Sequence, residues 1–195
     1  DIALSSLANY EGNEKEAIIN KTKKIAISDE NTMVRAQALY NLAEFKPDDF
    51  LKEFELNLTH KSYMVSAEAL NGYLKSGGDS EDELVKDFII SEKKAYISVL
   101  AEYYSVNPKI ENKEWYLTKL NKNESITYEL IIFYSDFLEK LDDNEEIFQG
   151  IQLFKSIAIG EEFSFWQKFS AYQALLVFEK NDDAKVALTF IKENE

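Results

Sequence analysis

A seven-residue pattern, Met-Val-x-Ala-x-Ala-Leu, occurs twice in this chain, at Met33–Leu39 and again 31 residues later at Met64–Leu70. Each copy lies in a segment whose apolar residues recur with the spacing of an α-helix. Positions i, i+4 and i+8 of a helix lie along one face. In the two copies that face carries Val34, Ala38 and Leu42, and Val65, Ala69 and Tyr73. The repetition predicts two helices with the same kind of packing surface.

Alanine in the middle of this face lets a neighbouring helix approach closely, while the larger flanking residues fill the space around it. One helix pair cannot bury such a face alone, so pairs stack on one another. A third, weaker copy is predicted at Ala95, Val99 and Tyr103. With only 6 Gly and 2 Pro, the chain is predicted to be all-α, a series of stacked antiparallel helix pairs.

Capping residues, prolines and the Gly77-Gly78 pair divide the chain into segments with helical spacing. The predicted helices cover residues 13–27, 32–45, 47–58, 62–75, 79–90, 92–105, 115–120, 125–141, 144–159, 163–180 and 183–192. No linker rich in Pro, Gly and Ser separates the two halves, which predicts a single domain over residues 1–195. The opening Asp-Ile-Ala is interpreted as the start of a fragment cut from a longer polypeptide.

The charge balance bears on the classes of partner. The chain has 36 acidic residues against 22 Lys and Arg, a formal net charge of −14, and Arg35 is its only arginine. Phosphate binding needs a concentrated basic face, so no nucleic-acid partner is predicted. No apolar run approaches the roughly 20 residues that span a bilayer, so no membrane partner is predicted either. The absence of cysteine excludes thiol catalysis and cysteine-ligated zinc.

Candidate catalytic and metal-binding residues are few. His60 is the only histidine, whereas a common zinc site needs several converging His or Cys ligands, so it is interpreted as a solvated residue near a helix start. The acidic clusters at residues 79–83 and 142–146 lack the order of a calcium loop and suit helix N-termini. We therefore predict no catalytic, cofactor-binding or metal-binding residue in this chain.

Two groups of aromatic residues leave two interpretations open. The groups are Trp115 and Tyr116, and Phe163, Phe165, Trp166 and Phe169. Most aromatic side chains in a stack of helices belong to its core. Aromatic residues are also enriched where one protein surface docks on another. The sequence therefore predicts either core packing or an interface for these residues.

The first copy of the pattern resembles HEAT-like repeats. Val-Arg-x-x-Ala-x-x-x-Leu at Val34–Leu42, preceded by Asp29, supplies the typical residues. The resemblance implies a HEAT-like α-α superhelix, which is a right-handed solenoid of antiparallel helix pairs. In such proteins Asp and Arg of adjacent repeats often form a polar ladder. Ser66 stands where Arg35 stands in the first copy, which departs from that ladder.

A narrower resemblance comes from His-Lys-Ser-Tyr-Met-Val-Ser-Ala-Glu-Ala-Leu at His60–Leu70. It is similar to a helix in the C-terminal HEAT-like domain of bacterial M1-family (aminopeptidase N-like) zinc peptidases. The resemblance implies a noncatalytic domain that packs on the upstream catalytic domain of the same polypeptide and limits which peptides enter. Zinc would then belong to the parent's catalytic domain, because this sequence contains neither the His-Glu-x-x-His helix nor the Gly-x-Met-Glu-Asn loop.

The same resemblance implies a bacterial cytoplasmic or periplasmic location, and peptide substrate is a possible partner at the concave face of the superhelix. The alternative is a stand-alone HEAT-like scaffold that binds a partner protein in that face. A third hypothesis is an enzyme in its own right, such as a HEAT-like DNA-repair enzyme, which the charge of −14 disfavours.

Overall fold

The computed structural model describes residues 14–121 and 127–193. Within these ranges the regular structure is helical and contains no strand, which confirms the predicted all-α class. Asn13 and residues 125–126, which were included in predicted helices, lie outside the described ranges.

The described residues form eleven α-helices. They are α1 (Lys15–Ser28), α2 (Thr32–Phe45), α3 (Leu51–Leu58), α4 (Tyr63–Lys75), α5 (Lys86–Ile90), α6 (Lys94–Val106), α7 (Lys113–Leu120), α8 (Tyr128–Leu141), α9 (Asn144–Ile159), α10 (Phe165–Val177) and α11 (Asp182–Glu193). Short 3₁₀ turns occur at Pro47–Phe50 and Ile110–Asn112. None of these helices has the length and hydropathy that crossing a bilayer requires.

The helices group into two compact units that divide between Ser91 and Glu92. In the first unit α1 packs on α2 and α3 packs on α4, and the short connections make each pair an antiparallel hairpin. The second pair lies against the first, with α4 on α2 and α3 on α1. The first unit therefore has two layers of helices, α1 with α3 and α2 with α4. Its core includes Leu39, Leu42, Phe54, Val65 and Leu70.

In the second unit α8 packs between α6 and α10, and α9 packs on α11. Consecutive helices α8 to α11 also contact one another in sequence. Helices two places apart are thus neighbours in this unit as well. Its core is rich in aromatic rings, which come from Tyr104, Tyr116, Tyr134, Phe137 and Phe154.

Buried positions recur every 31 residues in α2, α4, α6 and α8. One such series is Ala38, Ala69, Leu100 and Ile131, and a second is Leu42, Tyr73, Tyr104 and Ser135. The predicted third copy was displaced by one residue, because Ala95, Val99 and Tyr103 are only half-buried. The buried face of α6 instead contains Tyr96, Leu100 and Tyr104, at the full spacing of 31.

Polar contacts within each unit follow the same spacing. In the first unit Lys75 Nζ lies 2.5 Å from Glu44 Oε1, and in the second Ser98 Oγ donates to Glu129 Oε2 at 2.9 Å. Both pairs join residues 31 apart. Equivalent positions of successive helices in a layer therefore face each other.

Arg35 is paired with an asparagine. Its Nε and Nη2 atoms donate to Asn57 Oδ1 at 2.9 and 2.6 Å, and Asn57 Nδ2 donates to the carbonyl of Glu53 at 2.7 Å. Asn57 is fully buried, and a buried amide without hydrogen-bond partners would lower the stability of the fold. These bonds supply partners for both its oxygen and its nitrogen.

The prediction that a helix begins at Asp79 is wrong, because α5 begins only at Lys86. The Tyr73 hydroxyl donates to Asp82 Oδ2 at 2.6 Å, and the backbone N–H of Asp79 donates to the same oxygen at 2.9 Å. Asp79 Oδ1 in turn accepts from the N–H of Glu81 at 3.0 Å. Aspartate side chains that bind nearby backbone groups compete with helix formation, which explains the series of turns.

Candidate functional site

The first predicted aromatic pair lies in the interior of the second unit. Tyr116 is fully buried, and its hydroxyl donates to the carbonyl of Ala101 at 2.5 Å. Its ring centroid lies 5.0 Å from those of Tyr134 and Phe137, and burial raises its pKa. Trp115 is half-buried, with its ring edge-on to Tyr116 at 5.3 Å. These two rings contribute to packing within the unit.

The second group is exposed at the start of α10. Phe165 is 70% exposed, Trp166 64% and Phe169 46%. We call these three residues the aromatic cluster. Phe165 and Phe169 are stacked with centroids 6.2 Å apart, and Trp166 lies edge-on to Phe165 at 5.3 Å. Three large rings are thus held together on the surface.

Phe163 lies beside the cluster and is half-buried. A Cβ atom at Gly160 would lie 2.7 Å from the Phe163 ring, so the ring packs directly on the glycine backbone. Phe163 therefore fixes the turn between α9 and α10 and exposes less of its ring than the aromatic cluster does.

A capping box sets where α10 begins. Ser164 Oγ accepts from the N–H of Gln167 at 3.4 Å, and Gln167 Oε1 accepts from the N–H of Ser164 at 2.7 Å. This reciprocal pair satisfies two N–H groups that the first helical turn leaves open. Because it fixes the first turn, it also fixes the positions of Phe165 and Trp166, the first two residues of α10.

Two rings of the aromatic cluster, Phe165 and Phe169, line a groove of about 760 Å³, and Trp166 is next to them. The end of α9, the first half of α10 and the end of α11 form its walls. Its principal lining residues are Ile159, Phe165, Lys168, Phe169, Phe190 and Lys192. We call it the aromatic groove.

The charged side chains that line the aromatic groove are cationic. Its lining contains two lysines, Lys168 and Lys192, and among the described residues no carboxylate lines it. Lys155 lies next to it, with Nζ 4.2 Å from the centroid of the Phe190 ring, within the range of a cation–π contact. The groove is therefore mostly apolar with lysines as its charged lining residues, on a chain whose net charge is −14.

The sequence analysis singles out Phe165 and Phe169 as either core or interface residues, and it does not single out Ile159 or Phe190, which line the same groove. A signal existed for Phe190, because the buried face of α11 is Ala184, Ala187, Leu188 and Ile191. Phe190 falls outside that stripe and is 39% exposed. An aromatic residue off the apolar face of an amphipathic helix is a candidate surface contact.

The predicted repeat-packing residues have different environments. Ala38, Leu42, Val65, Ala69 and Tyr73 are buried. Val34 is 42% exposed and lines a smaller groove of about 340 Å³ with Met33, between α1 and α2. The N-terminal end of α2 is therefore less covered than its middle.

The residues considered for chemistry occupy structural positions. His60 Nδ1 accepts from the N–H of Ser62 at 3.0 Å, just before α4. Asp143 caps α9, since its Oδ1 accepts from the N–H groups of Glu145 and Glu146 at 2.9 and 3.1 Å. Within residues 14–121 and 127–193 no three His, Asp or Glu side chains are grouped so that they could hold a metal ion.

Fold and groove together define an all-α protein whose exposed aromatic groove carries lysines. No protein-family model, curated protein or solved structure matches the chain.

Proposed function

We propose that this chain is a noncatalytic, HEAT-like helical-repeat domain that docks on another protein through the aromatic groove. The observation that carries the proposal is the aromatic cluster, in which Phe165, Trp166 and Phe169 are between 46% and 70% exposed beside an apolar groove. Burying a phenylalanine side chain stabilises a protein or complex by roughly 1.5–3 kcal/mol relative to leaving it exposed. Covering three large exposed rings would therefore contribute substantially to the free energy of binding a partner. Aromatic residues in pockets are also the commonest anchors of protein interfaces.

Two features support the HEAT-like part of the proposal. Helices two places apart pack on each other in each unit, as helix pairs do when they stack in series. Buried residues also recur at a spacing of 31 through α2, α4, α6 and α8. A repeat of 20–45 residues is the ordinary length of such a structural unit.

We further propose that the partner is the catalytic domain of an M1-like zinc aminopeptidase, with this chain as its C-terminal domain. The support is the resemblance of His60–Leu70 to that family's C-terminal domain. In this form of the proposal zinc and the reacting groups belong to the catalytic domain, and the helical repeats limit peptide access. A stand-alone scaffold remains the alternative, and the same groove would serve it.

Hydroxyl-radical footprinting tests the docking proposal. The isolated chain and the parent polypeptide would be oxidised under equal dose and compared by peptide mass spectrometry. We expect Trp166 to be oxidised several-fold less in the parent, because docking would cover it. Trp115 is the internal control, since it already packs within its own unit. Equal oxidation of Trp166 in both samples would count against docking through this groove.

The reading frame that encodes the chain separates the two forms of the proposal. An upstream His-Glu-x-x-His helix followed by a distant glutamate would support the aminopeptidase form. A frame without that motif would leave only the scaffold.

A further inference from the structure

The aromatic groove is formed by helices, which bears on the form of its occupant. The walls are helix ends: the last residues of α9 and α11 and the first half of α10. No strand occurs in the described part of the chain, so no open sheet edge there can receive an extended peptide. An amphipathic α-helix needs no such edge, because it satisfies its own backbone hydrogen bonds and presents one apolar face to a groove.

The side chains restrict the chemistry of that helix. Phe165, Phe169 and Phe190 offer apolar contacts, which suit Leu, Phe or Met on one face of a helix. Lys168 and Lys192 are the charged lining groups, and in the described residues neither forms an ion pair. Carboxylates beside the apolar face would pair with both ammonium groups as the surface is covered.

The charge distribution disfavours two other occupants. In a symmetric pair of chains this groove would face its own copy, which places Lys168 and Lys192 opposite like charges. A nucleic-acid strand needs a continuous basic track along its phosphates, whereas this lining has two lysines. At physiological ionic strength charges are screened over about 8 Å, so the local lysines govern a short acidic segment in contact with them.

We propose that the aromatic groove binds an amphipathic α-helix of the partner protein, with Asp or Glu flanking its apolar stripe. This inference rests on the proposed docking function and specifies the chemistry of the partner segment.

Three synthetic helical peptides of about 18 residues, or five turns, provide the test. All share Leu and Phe at positions i, i+3, i+4 and i+7, and the flanking positions are Glu in one, Gln in the second and Lys in the third. Binding to the full chain is measured by fluorescence anisotropy at physiological salt, with Trp166 emission as the local readout. We expect the Glu peptide to bind at least about tenfold more tightly than the Gln peptide.

Matched variants identify the site. Phe169→Ala should weaken binding of the Glu peptide about tenfold, because an interface aromatic is removed. Phe148→Ala, at a residue with 45% exposure against 46% for Phe169, should change it less than about twofold. The double variant Lys168→Glu/Lys192→Glu should cost about tenfold. The charge-matched control Lys24→Glu/Lys180→Glu, at two exposed lysines elsewhere, should not.

The Lys peptide is attracted to the acidic surface of the chain in general and not to the groove. Its affinity is therefore expected to be the same for the wild type and for Phe169→Ala. Equal affinity of the Gln and Glu peptides at the groove would overturn the acidic chemistry and leave the docking proposal intact.

Dimerisation in sedimentation velocity that Phe169→Ala abolishes would make a second copy the occupant and overturn the inference. If no peptide responds to Phe169→Ala, the helical occupant is wrong. Footprinting of Trp166 in the parent polypeptide then decides separately whether the groove docks at all.

Discussion

Gly72 shows how one residue sets the distance between two helices. It lies in α4, where a Cβ atom would be 2.2 Å from the ring of Phe54 in α3. Phe54 is fully buried, so its ring has little freedom to move away. Glycine is helix-destabilising by about 1 kcal/mol relative to alanine, and the close packing of α3 on α4 offsets that loss.

Gly72→Ala should therefore destabilise the protein in spite of the better helix propensity of alanine. Overpacking costs about 1–3 kcal/mol and the propensity gain returns about 1, so we expect a net loss of about 1–2 kcal/mol. Urea unfolding followed by circular dichroism measures it. Adding Phe54→Leu, which shortens the opposing side chain, should make the double variant more stable than the sum of the two single effects.

Gly150→Ala is the matched control. A Cβ atom there would lie 2.2 Å from Leu138 Cδ1, the far end of a flexible side chain. Leu138 is as fully buried as Phe54, but the contact involves only a terminal methyl group, whose displacement needs less room than that of a ring, so the loss should be smaller. A larger loss at Gly150 than at Gly72 would mean that stiffness of the opposing side chain does not determine the cost.

At the scale of elements, one side-chain hydrogen bond joins α4 to the turn that precedes α5. The Tyr73 hydroxyl donates to Asp82, and this bond, more than burial, raises the pKa of Tyr73 to about 12. The same bond, with a second one from the N–H of Asp79, lowers the pKa of Asp82. It ties the end of α4 to the turn before α5.

Tyr73→Phe should lower stability at neutral pH and change its dependence on pH. A tyrosine with a raised pKa in the folded state contributes stability below its ordinary pKa of 10, and that contribution is lost as the pH rises towards 12. The lowered pKa of Asp82 predicts loss of the same bond as the pH falls below 3.8. The difference between wild type and variant should be constant between these limits and shrink at both.

Thermal melts across that pH range measure the difference. Tyr40→Phe, which removes a half-exposed hydroxyl of α2, is the control and should give a small offset without this profile. A difference for Tyr73→Phe that keeps its neutral value at pH 12 would show that the hydroxyl stabilises the protein by another contact.

Apolar spacing and capping residues were enough to predict most of the helices. Thr32–Phe45 and Asn144–Ile159 were predicted to the residue, because each has a capping residue and a clear apolar period. The start of α5 was not predictable in this way, because the side chain of Asp82 has a partner in α4. The aromatic groove needs the ends of α9 and α11 beside α10, which only the tertiary structure brings together.

At the scale of the whole molecule, the 31-residue spacing accounts for the buried faces of α2, α4, α6 and α8 only. The interval of 31 residues ends at α8, and the layers that α9, α10 and α11 join have no counterpart in the sequence pattern. Aromatic rings pack against each other in this region: the ring centroid of Phe154 in α9 lies 5.8 Å from that of Tyr134 in α8, and the two rings are edge-on. The second unit therefore has a core of its own, and this leads to a prediction about its independence.

A fragment of residues 92–195 should fold without the first unit. Its aromatic core comes from α6 to α9, all of which lie inside the fragment, and folding needs a buried core of this kind more than chain length. We expect helical circular dichroism, a cooperative thermal transition and a near-ultraviolet signal from Trp115 beside Tyr116. A fragment of residues 92–141 is the control, because it removes Phe154 and the helices that cover α8, and should lose the near-ultraviolet signal. A non-cooperative melt of the longer fragment would mean that its core needs the first unit in order to form.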